Sequence, residues 1–183
     1  MKITTKQLVQ TALLLAICIV SQFFKGGGTF FVIFITGAII NACLIISALS
    51  SGMLCASILA VITPITAFFI AASPVTAAIP AIVPCIMIGN LLLPLSVCLI
   101  TKKSKHPAAL PLGMLIGSLV KGAFMGISIS LILIPSFLPE KLAPKMSTFQ
   151  FSFSVVQFAA ALVGCIYAYI IWIALKKYLK NEK

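Results

Sequence analysis

Long apolar runs with short polar breaks between them dominate this chain of 183 residues. Hydrophobic residues make up 62% of the chain and charged residues only 8%, a balance that no water-soluble fold of this size carries. A membrane-spanning helix needs about 20 apolar residues, and the runs are continuous rather than alternating as in a β-barrel. The sequence therefore predicts an all-α integral membrane protein with a single membrane domain over residues 1–183.

Glycine, proline and polar clusters divide the apolar sequence into six predicted transmembrane helices. Their approximate bounds are 5–24, 31–49, 53–71, 77–100, 108–134 and 149–175. Pro80, Pro84 and Pro94 fall within the fourth of these stretches, so that helix is expected to be broken. A broken helix is tolerated in a membrane where it faces protein or a cavity.

Lysine placement predicts the orientation of the bundle. All 13 basic residues are lysines, and they raise the formal net charge to +11. If the N-terminus is cytoplasmic, that side holds Lys2, Lys6, Lys102, Lys103, Lys105, Lys176, Lys177, Lys180 and Lys183, and the other side holds Lys25, Lys141 and Lys145. This bias predicts that both termini are cytoplasmic and that the lysines face anionic lipid rather than nucleic acid.

Lys121 lies near the middle of the fifth predicted helix, in an apolar stretch from 110 to 134. A charge at that depth costs several kcal/mol unless the protein or a ligand compensates for it. The two acidic residues, Glu140 and Glu182, are both predicted to lie outside the membrane. Lys121 is therefore neutral, or solvated by carbonyls and water, or opposite a negatively charged ligand. We favour the ligand.

Three further polar side chains, Asn41, Asn90 and Gln157, are predicted in the middle-to-outer zone of three other helices. Convergent polar groups in an apolar bundle mark a small-molecule site, although an intramembrane amide also serves as interhelical glue. Gly113 and Gly117 precede Lys121 at intervals of four residues. The lysine therefore shares a small-residue face and is expected to point into the bundle.

Several function classes lack their sequence signals. The predicted spans contain no Asp or Glu for a proton relay or a sodium site, and the chain has no nucleotide-binding motif or nucleophile constellation. The six cysteines are dispersed and contain no Cys-x-x-Cys, so we expect no metal site and no cofactor. An enzyme is not expected, and a transporter of this kind would take its energy from partner subunits.

The chain resembles the substrate-binding S-component of an energy-coupling factor (ECF) transporter over nearly its whole length. Ala12 and Ala16 in the first helix match the Ala-x-x-x-Ala contact motif of that family. The stretches ITGAIIN (35–41) and IVPCIMIGN (82–90) also look like S-components of Gram-positive bacteria. A short basic N-terminus, about six helices in under 200 residues and a lysine-rich C-terminus complete the resemblance.

The resemblance implies a mechanism and a set of partners. S-components sit in the bacterial plasma membrane and bind a vitamin or similar micronutrient in a pocket that opens outward. Loops at 25–30, 72–76 and 135–148 would cap that pocket here. The Ala-x-x-x-Ala motif docks on a transmembrane T-subunit, and two ABC-type ATPases hydrolyse the ATP that drives release.

The residues themselves leave the substrate open. Lys121 favours a ligand with a carboxylate or phosphate, and the three amides offer donors and acceptors. Candidates are pantothenate-like, nicotinate-like and folate-like acids. Two other classes remain: a self-contained secondary transporter or channel for a small organic solute, and a membrane-embedded enzyme or assembly factor.

Overall fold

Helices occupy nearly all of the described chain. The computed structural model describes residues 3–24, 30–71, 73–104 and 106–181, apart from the side chains of 30–33 and 178–181. Its α-helices are α1 (Thr5–Phe23), α2 (Phe30–Ser50), α3 (Met53–Ala71), α4 (Pro74–Ala78), α5 (Ile82–Lys103), α6 (Ala109–Met125), α7 (Ile134–Phe137), α8 (Met146–Phe153) and α9 (Val155–Asn181). A π-helical segment, Gly126–Leu133, joins α6 to α7, and a 3-10 helix, Glu140–Lys145, precedes α8.

Some positions that the sequence analysis used lie outside the described residues. They are Lys2, Lys25 with the rest of the connection at 25–29, Ala72, Lys105, Glu182 and Lys183.

Several helices have the dimensions of membrane spans. Five helical stretches among the described residues are long and apolar enough to cross a membrane: Thr5–Phe23, Met53–Ala71, Ile82–Lys103, Ala109–Phe137 and Glu140–Lys177. A shorter apolar helix, Phe34–Ser50, belongs to α2. The chain is thus an all-helical protein over its described residues, as expected for a multi-pass membrane protein.

The structure differs from the predicted helix bounds mainly by breaks inside two of the predicted helices. One helix was expected over 77–100, but α4 ends at Ala78 and α5 begins at Ile82. Pro80 lies in the break, because a proline has no N–H to donate to a helical carbonyl. A single helix was also expected over 149–175, whereas α8 and α9 meet at Ser154, which has the non-helical angles φ −109° and ψ −85°.

Close contacts fix the direction of neighbouring helices. A Cβ placed on Gly117 would lie 2.9 Å from the Leu93 carbonyl oxygen, and one on Gly113 would lie 3.2 Å from Val97 Cα. As numbers rise on α6 they fall on α5, so these two helices are antiparallel. Helices α2 and α9 are parallel. Gly37 faces Ala160, and further along both helices Asn41 faces Gly164.

The bundle therefore has two distinct ends. The end where α1 begins also holds the end of α5 and the start of α6, and it exposes Lys6, Lys102 and Lys103. We call it the lysine end. At the opposite end, α4, α7, α8 and the π-helical segment pack together, and we call this the cap end.

Buried polar side chains tie the first three helices together. Gln22 on α1 is fully buried and donates from Nε2 to the Thr63 carbonyl of α3 over 3.0 Å. Thr36 Oγ1 on α2 donates to the Ser21 carbonyl over 3.1 Å. Such bonds satisfy polar groups where lipid would not.

Candidate functional site

Lys121 is enclosed at the centre of the bundle. Its side chain is only 2% exposed, and its ammonium nitrogen Nζ donates to two amide oxygens. Asn41 Oδ1 on α2 lies 2.6 Å from Nζ, and Asn90 Oδ1 on α5 lies 2.7 Å away. Three helices thus bring one lysine nitrogen and two amides to a single buried point, which we call the Lys121 cluster.

The chemistry of the groups explains their orientation. An ammonium group only donates hydrogen bonds, so each asparagine turns its carbonyl end toward Lys121. This leaves the amide nitrogen of each directed elsewhere. Asn41 Nδ2 is buried and has no hydrogen-bond partner in the described part of the chain. A buried donor without an acceptor costs about 1–3 kcal/mol. Asn41 therefore has an unused, costly donor beside the Lys121 nitrogen.

Glycines allow two close helix approaches at this level, of α9 to α2 and of α5 to α6. A Cβ on Gly164 of α9 would lie 2.6 Å from both the Ala38 carbonyl oxygen and Asn41 Cβ. A Cβ on Gly89 of α5 would lie 2.9 Å from Met125 Cγ and 3.8 Å from Lys121 Cγ. Only the missing side chains at these two positions permit the observed packing around Asn41 and Lys121.

Pro94 adds a further polar group at the level of Asn90. Because proline has no N–H, it cannot donate to the carbonyl four residues earlier, which is that of Asn90. Asn90 is 4% exposed, so the carbonyl and the side-chain amide belong to the same buried residue. This role of Pro94 was not anticipated, although the spacing of Asn90 and Pro94 in the sequence is its signal.

An apolar layer covers the Lys121 cluster toward the cap end. Its members are Val75, Ile79, Ile82, Met125, Ile129, Ile134 and Phe153, all buried and packed in one cluster. Met125 follows Lys121 by one helical turn and Ile129 follows it by two. Val75, within the expected capping loop at 72–76, belongs to this layer, and Leu138 and Met146 of the loop at 135–148 pack against it.

Two reciprocal hydrogen bonds hold α8 against the π-helical segment. Ser130 Oγ donates to the Gln150 carbonyl, and Gln150 Nε2 donates to the Ser130 carbonyl, each over 2.9 Å. Ser130 is 3% exposed. π-helical turns are frequently found at functional sites. Here the Ser130 carbonyl of the π-helical segment accepts a hydrogen bond from outside its own helix.

Gln150→Leu is expected to release α8 from the π-helical segment. The substitution removes the Nε2 donor, which leaves the Ser130 carbonyl without that bond at a cost of about 1 kcal/mol. Backbone amides of 146–153 should then exchange with deuterium several-fold faster than in the parent protein. Ser152→Ala is the matched control, because Ser152 Oγ bonds within α8 to Thr148 over 2.7 Å. Equal exchange in both variants would contradict this role.

The fourth predicted polar residue, Gln157, lies on α9, which packs against both α2 and α6. It is half-buried on α9, seven residues before the Gly164 that contacts Asn41. Seven residues of helix correspond to about 10 Å. Its neighbour Phe158 packs against Gly122, which follows Lys121 on α6. The structure groups Lys121, Asn41 and Asn90 through hydrogen bonds, and the part of Gln157 in binding remains a prediction.

The predicted docking residues lie on the outside of the bundle. Ala12 and Ala16 of α1 are both exposed, among exposed Val9, Leu13 and Ile17. An apolar groove of about 590 Å³ runs between α1 and α2, and Ala16 contributes to its wall. The small side chains thus face outward on an apolar helix surface.

The described residues contain no group of three His, Cys, Asp or Glu side chains that could hold a metal ion. Comparison with protein-family models, curated proteins and solved structures found no match for this chain. The fold and the Lys121 cluster define a class only: a multi-pass helical membrane protein with a buried lysine–amide centre.

Proposed function

We propose that this chain is the substrate-capture subunit of an ECF-type ABC transporter. It binds a small, anionic vitamin or related micronutrient from outside the bacterial plasma membrane. It then delivers the ligand to a transmembrane T-subunit and two ABC-type ATPases, which supply the energy for uptake. The observation that carries the proposal is the convergence of Lys121, Asn41 and Asn90 inside a small helical bundle.

The chemistry of the Lys121 cluster favours an anionic ligand. Asn41 Nδ2 is an unused, buried donor, and the Lys121 ammonium bonds the oxygen of the same amide. A carboxylate or phosphate placed there accepts a hydrogen bond from Asn41 and gains attraction from the cation. Charge-assisted hydrogen bonds of this kind are about twice as strong as neutral ones.

The two ends of the bundle fit outward capture in a six-span arrangement. Positive charge concentrates on the cytoplasmic side of membrane proteins, so the lysine end is cytoplasmic and both termini lie there. The cap end then faces outward, with α4 and α8 over the Lys121 cluster. A ligand from outside enters when this cap opens.

The exposed face of α1 supplies the docking surface. Small residues spaced four apart let another helix approach closely, and Ala12 and Ala16 are exposed with this spacing. The T-subunit contacts this face in the proposed complex.

Co-purification tests the proposal directly. The tagged protein is solubilised gently from its native host, and the proteins recovered with it are identified by mass spectrometry. We expect a T-subunit and two ATPases. The double substitution Ala12→Leu with Ala16→Leu should remove them, because the added side chains separate the two helices.

The control is Ala123→Leu, which enlarges an exposed alanine on α6 and should leave the complex intact. Isolation of the protein alone, together with solute uptake into liposomes that contain no other protein, would overturn the proposal. That result would favour a self-contained secondary transporter or channel.

A further inference from the structure

Met125 follows Lys121 by one helical turn, on the side of Lys121 that faces the cap end. It is fully buried and lies against Gly89, where an added Cβ would be 2.9 Å from Cγ and 3.1 Å from Sδ. This added Cβ would also lie 3.8 Å from Lys121 Cγ. Met125 therefore fills the space between the Gly89 backbone and the stem of Lys121, on the side from which a ligand would enter.

We propose that the Lys121 cluster selects monocarboxylic acids with a compact apolar body. The carboxylate accepts from Asn41 Nδ2 and lies beside the Lys121 ammonium, and the body takes the place that Met125 occupies here. This inference rests on the proposed function and narrows its substrate class.

The carboxylate head group of the ligand is inferred from the unused donor of Asn41. Asn41 Nδ2 is buried without a partner in the described residues, while Asn41 Oδ1 is 2.6 Å from Lys121 Nζ. An acceptor that reaches Nδ2 is therefore within a few ångströms of the ammonium. A neutral amide in place of the carboxylate would lose the charge-assisted part of the interaction.

The apolar character of the ligand's body is inferred from the residues around Met125. Ile82, Met125 and Ile129 are all fully buried and belong to one apolar cluster. Hydroxyl groups placed among them would lose their water without gaining partners, which penalises sugar acids and other polyhydroxy acids. Methionine is unbranched and flexible, so its side chain can move aside for a flat apolar group.

The test measures binding of radiolabelled benzoate to the detergent-solubilised, full-length protein by equilibrium dialysis. Unlabelled benzamide and gluconate serve as competitors: benzamide lacks the charge, and gluconate is a polyhydroxy monocarboxylate. We expect benzoate to bind, and both competitors to be weaker than unlabelled benzoate by about tenfold or more.

Size variants locate the body of the ligand. Met125→Ala enlarges the space and should shift preference toward 2-naphthoate over benzoate by about tenfold. Gly89→Ala pushes Met125 toward Lys121 and should weaken benzoate, and combining it with Met125→Ala should restore binding. Leu119→Ala is the matched control, because it also shortens an apolar side chain of α6, but one that is exposed on the outside of the bundle, and it should leave the preference unchanged.

Each contrary result has a separate meaning. Equal competition by gluconate, or no change of preference in Met125→Ala, would overturn the apolar body. Equal competition by benzamide would overturn the carboxylate. Failure of benzoate to bind would overturn the inference as a whole. The co-purification of partner subunits requires no ligand, so its outcome decides the proposed function independently.

Discussion

Lys121→Met should abolish detectable binding of benzoate by the solubilised protein. The substitution keeps an unbranched side chain of similar length but removes the ammonium group that contacts Asn41 and Asn90. Loss of one partner from a buried, hydrogen-bonded charge pair costs about 2–5 kcal/mol, so the affinity should fall at least about 30-fold. Equilibrium dialysis of parent and variant measures the change.

Lys102→Met is the matched control, because it removes an exposed lysine at the lysine end and leaves the site intact. Its affinity should equal that of the parent. Lys121→Arg retains the charge, and it should bind more tightly than Lys121→Met if the ammonium attracts the ligand. Undiminished binding in Lys121→Met, with normal elution on size exclusion, would rule out the anionic site.

Lys121→Met should also lower the free energy of unfolding. Asn41 and Asn90 are both almost fully buried, and each would lose the donor to its side-chain oxygen. Each buried acceptor left without a partner costs about 1–3 kcal/mol. Binding and unfolding must therefore be measured together, so that loss of fold is not mistaken for loss of ligand affinity.

The inward direction of Lys121 could be predicted from its own helix. Gly113, Gly117 and Lys121 repeat every four residues, and a glycine-lined face packs against protein rather than lipid. In the structure Gly113 and Gly117 meet Val97 and Leu93 of α5, and Lys121 is buried on the same side. Local periodicity carries this information because it depends only on the geometry of one helix.

The partners of Lys121 could be predicted as residues but not as contacts. Asn41 and Asn90 stand out as amides within apolar runs, yet their distance from Lys121 depends on how α2, α5 and α6 pack. Gln157 has the same sequence signal and lies about 10 Å along α9 from Gly164, the residue that packs on Asn41. Depth estimates from single helices do not show which side chains meet across the bundle.

The cap end was the least predictable region. The sequence of Gly126–Leu133 contains no proline, and nothing in it predicts a π-helix rather than an α-helix. The structure shows that Ser130 of this segment bonds to Gln150. The break at Ser154 likewise has no proline to mark it. The bonds that join the π-helical segment to α8 connect Ser130 and Gln150, which are 20 residues apart in sequence, so the periodicity of a single helix does not predict them.

Gly164→Ala should destabilise the bundle strongly, because its Cβ has no room against α2. The added atom would lie 2.6 Å from the Ala38 carbonyl oxygen and 3.1 Å from the Ala42 nitrogen. These are backbone atoms, so no side-chain rotation relieves the clash and the two helices must separate. Overpacking of this kind typically costs about 1–3 kcal/mol. Thermal unfolding in detergent, followed by the fluorescence of Trp172 on α9, measures the loss.

Gly126→Ala provides the comparison, since the nearest atom to its added Cβ is Ser154 Cβ at 3.5 Å, an ordinary contact distance. Its unfolding temperature should stay close to that of the parent. A second consequence separates the two variants, because the Cβ of Gly164→Ala would also lie 2.6 Å from Asn41 Cβ. Displacement of Asn41 should weaken benzoate binding even at temperatures where the variant remains folded. A Gly164→Ala protein as stable as Gly126→Ala, with parental affinity, would show that the approach of α9 to α2 does not position Asn41.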